Sequence, residues 1–228
     1  PQTMAAVGEQ PRGSLIAKPH ARLIWEFVAL FVAAPIAIAV FVNPVYMFAT
    51  LSAFCLLSVF LIRLTGDYHW KSLVSGWGEV RWGRMAVFCV FVAVAAFLVM
   101  AATKPGFMPN VSPERLRLLA LLWVLYPLLS ALPQEVIFRV LFFHRYGALF
   151  GSERSARLTN AAIFSLAHMM YWSPVVAVMT FVGGWIFAKL YQDKGFPAAW
   201  VAHAIAGNML FTVGMGHYFW SGNVVRPF

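Results

Sequence analysis

The chain has 228 residues, 61% of them hydrophobic and only 11% charged, with a formal net charge of +9. A soluble domain carries about 25% charged residues, so this chain lacks the polar surface to cover itself in water and reads as a single-domain, polytopic membrane protein. In that setting the positive charge marks the cytoplasmic flanks of membrane helices rather than a nucleic-acid partner, and Cys55 and Cys89, each inside an apolar run, form no disulfide or metal framework.

Residues 1–22 read as a polar N-terminal tail without the basic start, apolar core and cleavage site of a signal peptide. Residues 23–115 hold the first membrane spans. Leu23–Val42 is long enough to cross the roughly 30 Å hydrocarbon core, with Glu26 at its mouth and a kink expected at Pro35. Asn43-Pro44 is a turn, and Tyr46–Ile62 returns. Residues 63–84 interleave Trp70, Trp77 and Trp82 with Arg63, Lys71, Arg81 and Arg84, which suits the headgroup zone and predicts an interfacial segment. Met85–Thr103 is a third span.

From Leu116 to Phe150 the chain stays apolar for about 50 Å as a helix, and Pro133 inside it predicts one long kinked helix or two short ones. Leu158–Trp172, Val175–Tyr191 and Ala198–Met215 are the remaining spans, broken at Ser173-Pro174 and at Gly195-Phe196-Pro197, and residues 216–228 form a C-terminal tail. The expected fold is all-α: a polytopic membrane helix bundle of about seven transmembrane spans plus the interfacial segment. With the N-terminus inside, Arg12, Lys18, Arg22, Arg63, Lys71, Arg81, Arg84, Arg145, Arg154, Arg157, Lys189 and Lys194 fall on the cytoplasmic side, against Lys104, Arg115, Arg117 and Arg226 outside. That asymmetry predicts a cytoplasmic N-terminus and an external C-terminus.

Three spans carry ionisable groups away from their ends: Glu135 with Arg139, His168, and His203. Intramembrane ionisable residues are functional candidates by default. At 1.5 Å per residue they lie about 15, 16 and 9 Å in from the cytoplasmic ends of their helices, so they can share one cavity in the cytoplasmic half of the bilayer. Glu135 and Arg139 are at i, i+4, on one helical face. This spacing suits an intrahelical salt bridge, with Arg139 mainly structural. His144 is expected at the interface, and His20, His69 and His217 outside the spans. There is no His-Glu-x-x-His zinc helix, phosphate loop or Gly-x-Ser-x-Gly elbow. Two histidines on different helices also leave a b-type haem site open.

On these residues the chain resembles the CPBP (CAAX-protease-and-bacteriocin-processing) family of intramembrane proteases. Gln134-Glu135-Val136-Ile137-Phe138-Arg139 is similar to the family's Glu-Glu-x-x-x-Arg, with Gln in place of the leading Glu. Phe164 to His168 fits Phe-x-x-x-His, and His203 to Asn208 fits His-x-x-x-Asn/Asp only with Asn one residue late. The resemblance covers about 116–215.

It implies an endopeptidase in which a Glu/His pair activates a water, with no metal and no cofactor. Glu135 and His168 would be the acid–base pair. His203, Asn208 and Gln134 would serve the oxyanion, and Arg139 and Phe164 would support them. The substrate would be a peptide or membrane protein, with membrane lipid as surroundings, no nucleic acid, and a larger membrane complex as a further partner; a bacterial inner membrane suits the short loops. Two departures matter. Gln134 is an amide where the family's base would stand, so the alternative is an inactive member acting as a binding or assembly subunit. His203 and Asn208, five apart, share a face only if the helix carries a π-bulge at Ala206-Gly207.

Overall fold

The computed structural model describes residues 17–107 and 111–228; residues 1–16 of the expected tail lie outside the described residues. The described residues form helices and no strand. The chain begins with helices α1 (Ala21–Phe41), α2 (Pro44–Thr65), α3 (Trp82–Thr103) and α4 (Pro113–Leu149). A shorter helix, α5 (Glu153–Ala167), follows. Then come α6 (Pro174–Lys194) and α7 (Phe196–Val213), and a final turn of helix, α8 (Gly216–Phe219).

Six of these, all but α5 and α8, are long and apolar enough to cross a membrane. Their outward faces expose Phe41, Leu56, Val87 and Val124. Large apolar side chains on the outside of long helices require lipid as the solvent, and the chain is an integral membrane protein. The fifth expected span differs. Its 15-residue helix reaches about 22 Å and does not cross by length alone. Ser152 caps its start in a reciprocal pair with Ser155, and His168 already leaves helical geometry at its end.

The segment expected at the interface is helical at both ends and irregular between them, with short 3₁₀ turns at Trp70–Leu73 and Trp77–Glu79. Trp77 stacks on Trp82, and Arg63 lies over Trp70. Lys194 reaches back from the end of α6 to Glu79 at 2.9 Å.

Prolines set the local winding of the long helices. A proline gives no N–H to the carbonyl four residues earlier and its ring crowds that carbonyl. A wider π turn accommodates this. In α1 the π turn Ala29–Ala33 ends two residues before Pro35. In α4, π winding occupies Pro127–Ala131 and Val136–Tyr146, with a single α turn, Leu132–Glu135, around Pro133. The long run is therefore one continuous helix, loosened around its prolines rather than broken.

Polar ties hold one end of α1, α2 and α4 together. Glu26 Oε1 accepts from Arg145 Nε (2.6 Å) and Tyr146 Oη (2.5 Å), and Arg145 Nη1 donates to Thr65 Oγ1 (2.8 Å). His144 Nε2 meets the Gly66 carbonyl at 2.8 Å. At the other end of α1, Arg226 donates to the carbonyls of Val40 and Val42.

Helices α5 and α6 pack closely over Gly184. A Cβ there would stand 3.0 Å from Phe164 Cδ1 and 3.2 Å from Ala161 Cα, whereas one at Gly183 would meet only the Phe187 ring edge at 3.4 Å. Gly184→Ala is therefore expected to destabilise by about 1–3 kcal/mol through overpacking, and Gly183→Ala to be near neutral. Thermal unfolding of both variants in detergent micelles checks this order.

Candidate active site

The loosened half of α4 delivers the first group of residues. Glu135 ends the α turn and Arg139 lies one turn on, both 0% exposed. Arg139 Nε is 3.3 Å from Glu135 Oε2. A buried guanidinium needs more than one partner. Its Nη1 donates to Asn160 Oδ1 on α5 and to the Phe138 carbonyl. Asn160 in turn donates Nδ2 to the Phe138 carbonyl. The rings of Phe164 and Phe187 face the guanidinium carbon at 5.0 and 5.9 Å. A delocalised cation gains from aromatic faces in a dry site.

Glu135 also reaches α7: its Oε1 accepts from His203 Nδ1 at 2.8 Å. The carboxylate is thus held between Arg139 and His203. His203 stacks on Phe187 (centroids 4.7 Å apart, 13° between planes) and meets Phe164 edge-on at 5.6 Å. His168, where α5 ends, places Nδ1 2.7 Å from the Phe164 carbonyl. A carbonyl only accepts, so the proton is on Nδ1 and the lone pair is on Nε2.

A cavity of about 490 Å³ opens beside this cluster between α3, α4, α6 and α7. Gln134, His168, His203, Phe164 and Tyr126 line it; Glu135 does not. A second, apolar cavity of about 130 Å³ lies on the α1–α2 side, and Gln134, Ser130 and His168 line both. Gln134 Nε2 donates to Ser130 Oγ at 3.0 Å, while its Oε1 is buried without a protein partner among the described residues.

The structure therefore brings Glu135, Arg139, His203 and Phe164 into one contact network, with His168 against Phe164 and Gln134 on the shared cavity wall. Asn208 is elsewhere. The expected π-bulge at Ala206-Gly207 is absent, because Phe196–Val213 is regular α-helix. His203 and Asn208 then point about 140° apart. Asn208 is buried, and its Nδ2 donates to the Trp123 carbonyl at 3.2 Å. That carbonyl is the one to which Pro127 cannot donate, so Asn208 acts as a cross-helix cap. Trp200 Nε1 similarly donates to the Pro127 carbonyl at 2.8 Å.

Three further residues belong to the site. Asn160 stands four and eight residues before Phe164 and His168, on their face of α5. A polar residue on the face shared by Phe164 and His168 is a readable signal. Phe187 and Tyr126 carry no such signal, because α6 and α4 are apolar on several faces.

Residues 116–209 match the family model described as type II CAAX prenyl endopeptidase Rce1-like. Comparison with curated proteins and with solved structures gives no match. The matched segment holds the Glu135–Arg139 pair, Asn160, both cavity histidines and Asn208. Over residues 116–209, then, the chain is similar to the CPBP family.

Proposed function

We propose that the chain is an intramembrane endopeptidase in which His168 activates a water in the 490 Å³ cavity. One observation carries this reading: His168 is fixed as the Nδ1–H tautomer by the Phe164 carbonyl, which leaves a basic Nε2 on a cavity that Gln134 and His203 also line. In the reaction, Gln134 Oε1 and His168 Nε2 hold a water. His168 takes one of its protons as the water oxygen bonds to the peptide carbonyl carbon. The C–N bond then breaks, and His168 returns the proton to the leaving amine. His203, whose Nδ1 donates to the Glu135 carboxylate, stands on the cavity wall beside the developing oxyanion, where its imidazolium form would offer Nε2–H. Glu135 acts through His203, and Arg139 and Asn160 hold Glu135. Asn208 supports the joint between α4 and α7.

The matched family's description suggests a prenylated C-terminal peptide as substrate, and a cavity between membrane helices suits a membrane-embedded peptide as well. The charge map supports a cavity in the cytoplasmic half of the bilayer and a cytoplasmic N-terminus. The bonding of Arg226 at the end of α1 away from Glu26 supports a C-terminus on the opposite side, with α5 and the turn after it making up the remaining passage.

A second reading is favoured by one residue. Gln134 occupies the cavity wall where a carboxylate would take a proton, and an amide does not do so near neutral pH. The chain would then bind a peptide, or assemble with a membrane partner, without cleaving. The purified protein in liposomes, tested on transmembrane peptides and on peptides with a prenylated C-terminal cysteine motif, separates the two. Cleavage by the wild type is expected. An idle wild type beside a cleaving Gln134→Glu variant would establish the second reading.

A further inference from the structure

Resting on the peptidase reading, we propose that the hydroxyl of Tyr126 is a catalytic hydrogen-bond donor to the oxyanion, in partnership with His203. Tyr126 is the last residue before the first π turn of α4. Its ring lies across Gly207, one turn after His203 on α7. A Cβ at position 207 would stand 2.0 Å from Tyr126 Cε1 and 2.3 Å from its Oη. Gly207 is therefore the hole that admits the phenol. Because 203 and 207 are i, i+4, the hydroxyl occupies the place on the helix face where a side chain following His203 would project. The ring is edge-on to His203 at 6.2 Å and to Phe211 at 5.8 Å, so its direction is fixed from two sides.

Of the other hydroxyls on this cavity, Thr180 donates to the Val176 carbonyl and Tyr171 to Met47 Sδ, while Ser130 Oγ is held by the Gln134 amide on the wall shared with the second cavity. Tyr126 lines the cavity, with its ring edge toward His203. A half-buried phenol next to the ionisable His203, held by packing and facing the cavity, is placed to donate where charge appears only during reaction. Such a donor is worth more in a dry cavity than in water, and it does not reorganise as the charge develops. The expected position of an amide donor, Asn208, is meanwhile turned to the Trp123 carbonyl.

The test is a kinetic comparison of full-length wild type, Tyr126→Phe and His168→Ala in liposomes, on a peptide the wild type cleaves. Tyr126→Phe keeps the ring over Gly207 and removes only the donor. The expected result is a kcat about 10²-fold lower, in line with loss of one oxyanion donor, with KM within about two-fold of wild type and an unchanged melting midpoint. A Tyr126→Phe kcat within about three-fold of an active, His168-dependent wild type overturns the role of Tyr126 and leaves the peptidase reading intact. A wild type that cleaves no peptide overturns the peptidase reading and this role with it.

Discussion

Glu135→Ala is expected to destabilise the folded chain by about 3–5 kcal/mol, the cost of leaving a buried charge without its partner. The charge left behind is Arg139, which is 0% exposed and loses the carboxylate 3.3 Å from its Nε. The Asn160 and Phe138 carbonyl oxygens would remain as neutral acceptors for a guanidinium that is 0% exposed. For a domain of this size the loss corresponds to a melting midpoint lower by about 6–20 °C in detergent micelles. Arg139→Met alone should cost less, because Glu135 keeps the His203 N–H at 2.8 Å. The double variant Glu135→Met/Arg139→Met should be more stable than Glu135→Ala, since well-packed apolar pairs replace buried ion pairs at little net cost. A Glu135→Ala midpoint equal to wild type would mean that the pair is solvated and that the network is wrongly drawn.

His168→Ala is expected to lower kcat by about 10²–10⁴, the range for removing a positioned general base, with little change in melting midpoint. The side chain is only partly buried, and its one protein hydrogen bond is to a carbonyl four residues back in its own helix. Its removal therefore leaves no buried charge. His144→Ala, at the far end of α4, is the control: its ring meets the Gly66 carbonyl outside the cavity, and kcat should not change. If His168→Ala kept wild-type kcat, the water would be activated by another group, and the reading of Nε2 as the base would fail.

Much of the bundle was legible because membrane helices are set by length, apolarity and proline, all of which are local. The spans around residues 23–42, 46–62 and 85–103 stand within a few residues of their expected limits. The depth argument that joined Glu135, His168 and His203 needed only the helical rise. What resisted was anything decided by a neighbour. Adjacent residues such as Gln134 and Glu135 face directions about 100° apart on a helix, but which one meets the cavity depends on where α5 and α7 sit. Gly207 suggested a local irregularity that would rescue Asn208. Its actual role is to admit Tyr126 from another helix, and the irregular winding lies instead in α4, beside Pro127 and Pro133. The shorter α5 follows from the cap at Ser152 and from the turn at His168, where the helix ends before the apolar run does.

The central claim is that this cavity hydrolyses a peptide bond by way of His168, and cleavage in heavy-oxygen water tests it most directly. Wild-type protein in liposomes should yield fragments whose new C-terminal carboxylate carries the heavy oxygen, and His168→Ala should yield almost none over the same time. Absence of such fragments from the wild type, or their formation by His168→Ala at the wild-type rate, would contradict the account.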